Sequence, residues 1–311
     1  MHKPLLSICI PTYNRAEYLK VTLESIIRQK RFVETNDVEI VISDNCSADD
    51  TQQVVESIAK NFGDKIRYYR NEVNIHDKNM EASLSRGNGE FLKLNNDTLK
   101  HTDNSLDEMI RIINSNIEEK NVLFFLNQGQ NGERVIRKGL NGFLDVVSFN
   151  CTWIGAFGIW KNDFKALDGF NRHAKLQLTQ TDVLFRLIGS HRQVCINDTI
   201  LFESIELAKK GGYDLITVFL DNYNFLLNEA LERGDISDTT YKSETRKTLL
   251  GFICPWMARL KIYKEKFHFT AKDRFTRIIS AYKNRPAILI AFFIKYIAGL
   301  VFVFFKSSIK K

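Results

Sequence analysis

The chain has little cysteine, and what it has is poorly spaced for chemistry. Its 311 residues include five, Cys9, Cys46, Cys151, Cys195 and Cys254, an odd number without paired metal-ligand spacing. That argues against a disulfide framework or a zinc site as the organising element. Cys9 and Cys46 fall in or just after strand-like runs, where a small apolar thiol is an ordinary packing residue. No internal repeat of solenoid period runs through the sequence. The opening residues lack a charged stretch followed by an apolar run and a small-residue cleavage site, so the body is expected in a reducing cytoplasm. Acidic residues are scarce in one region only. Lys242 to Lys311 holds 16 Lys+Arg and 3 Asp+Glu, against 28 and 34 elsewhere, so the net charge of +7 belongs to the tail.

With 44% hydrophobic and 26% charged residues, the chain falls in the soluble globular class and is long enough to bury a substantial core. Its first half alternates strand and helix. Leu5–Ile10 reads as a buried parallel strand, and the helix after it carries Leu19, Leu23, Ile26 and Ile27 on one stripe. Val38–Ser43 is a second strand; the next helix turns Val54, Val55, Ile58 and Phe62 inward, with Asp49 or Asp50 as its cap. Ile66–Arg70 and Phe91–Leu94 make two further strands around a helix over Asp77–Arg86. A helix at Ser105–Ile117 and a strand at Val122–Leu126 complete an α/β pattern. Gln128–Gly142 reads as a flexible loop, Trp153–Trp160 as a strand and Thr179–Ile188 as a helix. Beyond Ser204 the chain reads as helical.

Within the tail, Pro286–Phe305 is apolar except for Lys295 and the amphipathic Tyr296. As a helix this run would reach about 30 Å, the thickness of a bilayer's hydrocarbon core. A lysine at the centre of a span costs about 2.5–3.5 kcal/mol, which favours a helix lying in the interface over one that crosses it. A buried soluble helix is the other alternative. Upstream, Lys261, Lys264, Lys266, Lys272, Arg274, Arg277, Lys283 and Arg285 form either a solvated basic face or one that meets anionic headgroups, at about 1 kcal/mol each. These charges accompany apolar residues rather than a stacking platform, so nucleic acid is not an expected partner.

Two strands run straight into polar turns: Ser7-Ile8-Cys9-Ile10-Pro11-Thr12-Tyr13-Asn14-Arg15 and Val38-Glu39-Ile40-Val41-Ile42-Ser43-Asp44-Asn45-Cys46-Ser47. A third, Phe91-Leu92-Lys93-Leu94, ends on Asn95-Asn96-Asp97. Side chains at the carboxyl ends of parallel strands converge on one crevice, where open α/β sheets bind ligands. The amides of the first turn would open toward an anion, and Asp44 could accept from a base or ribose. A polar cluster after a buried strand must be satisfied or serve a ligand. Each motif also has a plainer reading, as a strand-to-helix turn, a cap through Ser47, or an Asx turn.

In this order, over about 100 residues, the three strings resemble the successive signatures of family 2 glycosyltransferases. The similarity is to the bacterial O-antigen and capsule type, abequosyltransferases among them, and it continues more loosely to about residue 200. It implies a Rossmann-like GT-A nucleotide-sugar-binding sheet with helices on both faces, plus a helical, basic carboxyl-terminal tail. Residues 1–205 would form the transferase domain, with a nucleotide half over 1–100 and an acceptor half over 101–205; residues 206–311 would associate with membrane. The resemblance assigns Pro11, Tyr13, Arg15 and Asp44 to base and ribose, and Asn95, Asn96 and Asp97 to ribose and a divalent metal on the diphosphate. Asn74, Asn79 and Arg86 would lie where a loop approaches that diphosphate, or cap the local helix. Two positions usually acidic are asparagines, so Asp97 is the only carboxylate left to hold Mg2+ or Mn2+, and metal dependence could be weak or absent.

The reaction implied is inverting: an acceptor hydroxyl attacks the anomeric carbon as the nucleoside diphosphate leaves, with a general base at the hydroxyl. In the family that base is an aspartate of an acidic pair opening a later helix. Here the corresponding stretch reads Leu178-Thr179-Gln180-Thr181-Asp182-Val183, so the pair is not intact; Asp182 is the candidate base and His173 the alternative. Asp182 also suits an ordinary first-turn position. Trp153, Gly155 and Trp160 are candidates for an acceptor wall, although large aromatics are more often core. The implied acceptor is a polyprenyl-diphosphate-linked oligosaccharide, met at the cytoplasmic face of the inner membrane by a peripheral or monotopic protein. A non-catalytic nucleotide-sugar-binding subunit is the alternative, motivated by Asn95, Asn96 and the broken acidic pair.

Overall fold

A computed structural model describes residues 3–130, 134–206, 212–263 and 267–309. Lys264, Lys266 and part of the 128–142 loop lie outside them. The chain divides into two compact units. The first comprises Met1–Gly139, Asn150–Lys175 and Thr179–Glu206; the second comprises Leu140–Phe149, Leu176–Leu178 and Leu207–Lys311.

Up to residue 125 the elements are β1 (Leu6–Thr12), α1 (Ala16–Ile27), α2 (Lys30–Glu34), β2 (Val38–Asp44), α3 (Thr51–Ala59), β3 (Ile66–Arg70), α4 (Asn79–Ser85), β4 (Phe91–Leu94), β5 (Leu99–His101), α5 (Ser105–Asn114) and β6 (Val122–Phe125). There follow β7 (Arg134–Lys138), α6 (Gly139–Val147), β8 (Gly158–Trp160), α7 (Lys161–Ala166), α8 (Thr179–Ile188), β9 (Gln193–Asn197) and β10 (Phe202–Ser204). The central sheet has the order β3-β2-β1-β4-β8. β1 runs parallel to both β2 and β4, β2 parallel to β3, and β8 antiparallel at the edge. β1 and β2 are buried almost throughout, because a parallel strand covered by helices has no wet face and must be apolar on both. Leu6, Ile8 and Ile10 share one core with Leu19, Leu23 and Ile26 of α1 and with Leu106, Ile110 and Ile113 of α5. Each such side chain contributes about 1.5–3 kcal/mol by leaving water. α4 packs against β1, β2 and β4 outside that cluster.

Three local expectations change. The loop expected over 128–142 contains β7, which pairs antiparallel with β9. Its Arg-Val-Ile-Arg-Lys sequence is that of a charged, exposed edge strand, a pattern with no apolar run to announce it. Trp153–Trp160 is not one strand: a 3₁₀ turn at Ile154–Ala156 precedes the three-residue β8. A Cβ on Gly155 would stand 2.6 Å from the Trp153 ring, so the indole folds over a position that must stay bare. In the second unit the helical run is interrupted by π-helical turns at Thr217–Asn222 and Thr248–Ile253.

That unit is otherwise helical, with α9 (Tyr223–Glu232), α10 (Asp238–Lys247), α11 (Cys254–Ile262), α12 (Arg274–Tyr282) and α13 (Pro286–Ile309). One face of α13 lies on α11: Phe292 and Tyr296 are buried, and a Cβ on Gly299 would sit 3.3 Å from that of Ala258. The rest is open. Ile290, Ile294, Ile297, Val301 and Phe302 are all more than half exposed, and Lys295 is exposed among them. Over Pro286–Val303 the mean hydropathy is 2.3, so the helix is long and apolar enough to cross a membrane. Two of the basic side chains read as a solvated or lipid-facing surface are instead engaged within the chain. Arg277 pairs with Asp214 and Asp221, while Arg285 donates to Thr245 Oγ1 at 2.9 Å. Lys261, Lys272 and Lys283 are exposed.

Candidate active site

Strand register decides which side chains meet. Thr12 ends β1 directly opposite Asp44 at the end of β2, and on the other flank the Asn95 amide bonds to Cys9 O, bringing the 95–97 segment alongside. Thr12 Oγ1 donates to Asp97 Oδ2 at 2.9 Å, and Arg15 Nη1 donates to Asp97 Oδ1 at 2.8 Å. Asp44, fully buried, accepts from the Ser47 amide at 2.9 Å, the Ser47 hydroxyl at 2.5 Å and the Tyr68 hydroxyl at 2.5 Å, with Arg70 at 3.8 Å. Asp44 and Asp97 thus flank Thr12 at one edge of the sheet. Burial pushes the Asp97 carboxyl up, and the Arg15 charge, its hydrogen bond and that of Thr12 oppose the rise. For Tyr68, burial and then the bond to Asp44 push the phenol well above its ordinary range.

The turns after β1 and β2 brace each other. Asn14, left-handed at φ +50°, donates its amide to Ser47 Oγ and accepts from the Ala48 amide. Asp49 accepts from Ala16, at the start of α1, and from the amide and hydroxyl of Thr51, at the start of α3. One carboxylate therefore serves two helix amino-termini. Burial alone would raise its pKa, yet the bonds from Thr51 and Ala16 leave it below the ordinary value. The Asn14 amide, one of those expected to open toward an anion, is occupied in this way. Pro11 is half-buried, and Tyr13 stands exposed beside the turn.

The loop after β3 is tied to the tip of β2 by amides. Asn45 accepts from the Ile75 amide at 2.8 Å and donates to Asn74 Oδ1 at 2.7 Å. Asn79, buried, accepts from the Ser43 hydroxyl at 2.6 Å and donates to Ser43 O at 2.8 Å. Arg86 donates to Ser43 Oγ at 2.6 Å and Asn71 Oδ1 at 2.9 Å, and lies 5.0 Å over the Tyr69 ring. In this structure Asn74, Asn79 and Arg86 hold the loop in place.

Beneath the β4 tip lies a cluster that motif reading missed. Asn95 Oδ1 is 3.1 Å from His101 Nε2, and His101 Nδ1 is 3.0 Å from Ser105 Oγ. Burial pulls His101 down to about 3, so the ring is neutral; with Nε2 carrying the proton toward Asn95, Nδ1 accepts from Ser105. Lys93, wholly buried, donates to Leu94 O at 2.7 Å and to Gly155 O, between the rings of Phe125 and Phe202 at 5.2 and 5.1 Å. It ties the motif-bearing strand to the 154–156 turn, and burial draws it down to about 7. The signal for it was a lysine inside an otherwise apolar strand.

A second polar cluster opens α8, where Thr179, Gln180, Thr181 and Asp182 are all buried. Gln180 donates to Thr152 O at 2.6 Å and Thr181 to Cys151 O at 3.3 Å, holding the helix start to the preceding segment. Both oxygens of Asp182 accept from Arg172 Nε, at 3.1 and 3.0 Å, and Arg186 Nη2 stands 3.1 Å from Oδ2. A His173 ring nitrogen lies within 4.8 Å of an Asp182 oxygen, so the two candidate bases share one place. Trp160 does not line a wall: it is buried on Phe91 and its indole donates to Asn121 O at 2.7 Å. Trp153 is half-buried against Phe202.

The donors at the β4 tip suit a divalent cation poorly. Asn95 Oδ1 faces His101, Asn96 Oδ1 is buried without a partner among the described residues, and both Asp97 oxygens are engaged. A hard cation wants several oxygen ligands with negative charge, and here one carboxylate already faces a guanidinium.

Residues 7–138 match the family model described as glycosyl transferase family 2. The abequosyltransferase RfbV of Salmonella typhimurium is 47% identical over 88 residues, 28% of this chain and 26% of that protein. The GalNAc(5)-diNAcBac-PP-undecaprenol beta-1,3-glucosyltransferase of Campylobacter jejuni is 35% identical over 91 residues, 29% and 28% of the two chains. The matches therefore span little more than a quarter of these relatives' length. Among solved structures, TarS 1-349 of S. aureus superposes with a TM-score of 0.61 at 17% identity, covering 95% of this chain and 88% of that one. The mannosyltransferase of Pyrobaculum calidifontis in complex with GDP-Man and Mn2+ gives 0.59 at 15%, with coverage of 95% and 88%. These likenesses establish a GT-A fold, and the match to glycosyl transferase family 2 lies over residues 7–138.

Proposed function

We propose that the chain is an inverting glycosyltransferase that moves a sugar from a nucleotide-sugar donor to a lipid-linked glycan acceptor during synthesis of an O-antigen, capsule or related surface polysaccharide. The observation that carries this reading is the pair of buried carboxylates, Asp44 and Asp97, flanking Thr12 at the carboxyl edge of parallel strands inside the family-matched segment. In this reading Asp44, Pro11 and Tyr13 hold the nucleoside, Asn96 and Asp97 the ribose, and Arg15 the diphosphate. Asn74, Asn79 and Arg86 keep the adjoining loop in register with them.

Asp182 receives the acceptor proton. Arg186 also donates to Asp168 O and Gly169 O, which keeps it in position on the carboxylate, while Arg172, a third exposed, swings aside for the incoming hydroxyl. The two-arginine grip on Asp182 also favours a second reading, in which His173 takes the proton and Asp182 orients it. The relatives' names supply the substrate class: one is an abequosyltransferase, the other acts on an undecaprenol-linked glycan. The open apolar stripe of α13 suits a helix lying in the cytoplasmic leaflet of the inner membrane, where such an acceptor would be met.

The test is turnover of UDP-, GDP-, CDP- and dTDP-sugars on a polyprenyl-diphosphate oligosaccharide. Asp182→Asn should cut transfer by about 10²–10⁴-fold while sparing donor binding; loss only in His173→Gln would move the base to His173. Donor binding without transfer to any acceptor would favour the non-catalytic subunit instead.

A further inference from the structure

At the β4 tip, the chemistry expected of a metal ion has another source. Asp97 is the only carboxylate of its motif, and both its oxygens are held. Among the described residues, no group of three His, Cys, Asp or Glu side chains at ligand distance includes Asp97 or Asp44. A dication on Asp97 would sit beside a guanidinium 2.8 Å from the same carboxylate, a like-charge contact that weakens the site.

Arg15 differs from the cations around it. Arg70 donates to Ser47 O and Arg86 is fastened to Ser43 and Asn71, whereas Arg15 commits a single N–H, to Asp97, and its side chain is 43% exposed. Its remaining N–H groups have no partner among the described residues. A guanidinium with one edge pinned and the other facing solvent presents a planar fork matched to two phosphate oxygens. Asp97, buried and tied to Thr12, fixes where that fork points.

We infer that Arg15, oriented by Asp97, is the cation that stabilises the departing nucleoside diphosphate, and that transfer by this chain does not need a divalent metal. This rests on the glycosyltransferase reading above. As the acceptor oxygen bonds to the anomeric carbon, the bond from that carbon to the β-phosphate oxygen breaks and its electron pair leaves with the diphosphate. The acceptor's proton passes to the base, and the negative charge gained by the leaving group falls on the Arg15 guanidinium. Arg15 touches the leaving group and Asp97 is its positioning residue.

The experiment has two arms on the full-length protein. In the first, calorimetry measures UDP, GDP, CDP and dTDP binding after EDTA treatment, with and without 1 mM Mn2+ as an illustrative dose of about saturating order. Manganese should change the affinity of the preferred diphosphate less than about twofold, while Arg15→Met weakens it about tenfold or more and Arg15→Lys less. In the second, turnover in EDTA should match turnover in Mn2+ for the native protein. Arg15→Met should lose turnover and, with Asp97 released, regain part of it on addition of Mn2+. Turnover lost in EDTA and restored by Mn2+, or diphosphate affinity raised about tenfold or more by Mn2+, would overturn the inference and leave the transferase reading standing. Failure of every nucleoside diphosphate to bind would sink that reading, and this one with it.

Discussion

At the carboxyl edge of the central sheet the polar side chains are buried and bonded to one another, whereas α13 of the second unit leaves large apolar side chains bare. Each departs from the ordinary distribution of polar groups outside and apolar groups inside, in opposite senses. A buried carboxylate such as Asp44 persists because three donors reach it; without them it would cost several kcal/mol. The five side chains Ile290, Ile294, Ile297, Val301 and Phe302 gain nothing in water, and exposed apolar patches of this kind are the ones that interaction surfaces use. If, as proposed, the first unit recognises a charged small molecule and the second a surface, changes in one should leave the other's measurement untouched.

Asp182→Asn offers the largest break. It keeps the shape and part of the hydrogen bonding to Arg172 and Arg186, and turnover should fall about 10²–10⁴-fold, the usual contribution of a general base. Donor affinity and flotation with vesicles should not change. A variant that lost vesicle association as well would show that the division between the units is wrong.

The reverse test puts charge on α13. In Ile294→Asp with Ile297→Asp, two exposed side chains worth about 1.5–3 kcal/mol each in an apolar phase are removed from the bare stripe. Association with vesicles containing anionic lipid should fall by about 100-fold or more. Turnover on a short, water-soluble acceptor analogue should stay within about twofold, a span of about 0.4 kcal/mol. Equal loss on soluble and membrane-borne acceptors would remove the membrane from the account.

Smaller again is Asp44→Asn, which sharpens what the first unit recognises. A hydrogen bond to a charged group is worth about 1.5–3 kcal/mol, so donor affinity should drop about 10–100-fold with kcat little changed. Ser47 donates to one Asp44 oxygen and Tyr68 to the other, so the single amide oxygen keeps an acceptor for only one of them and the melting temperature should fall by several degrees. A fall in kcat at unchanged affinity would take Asp44 away from the nucleoside.

Much of this edge was legible before any coordinates. The strands containing Ile8 and Ile40 are buried on both faces and so read as apolar runs, and Asp44 and Asp97 announce themselves by following such runs directly. What could not be read depends on chain segments distant in sequence. β7 exists because residues 193–197 pair with it, and nothing in Arg-Val-Ile-Arg-Lys states that. The grip of Arg15 on Asp97 spans 82 positions, and that of Arg172 on Asp182 turns an expected first-turn aspartate into a buried ion pair. The tail's charges were countable, but that Arg277 and Arg285 are engaged within the chain follows from Asp214 and Thr245 lying opposite them. Lys93 was visible in the sequence and passed over, because its role comes from Gly155 O and two rings rather than from a neighbour in the chain.

Lys93 also gives the smallest effect, and it belongs to the first unit alone. The folded chain holds this amine at about 7 against an ordinary 10.5, so between those values the unfolded chain binds a proton that the folded chain has released. Stability should therefore rise with pH across that window, by at most about 1.4 kcal/mol per unit, while below about 7 both states are protonated and the penalty is full. The groups it faces are Cys9 of β1 and His101 of β5. His101, at about 3, does not titrate in the folded state in this range. The Cys9 thiol is pushed up by burial from 9.0 and opposes the trend only above that value. Urea unfolding between about pH 7 and pH 8.5 should thus show a positive slope in the native chain that Lys93→Met removes. An identical slope in both would mean that the amine keeps its proton in the fold, solvated or paired by a group the Phe125 and Phe202 rings do not exclude.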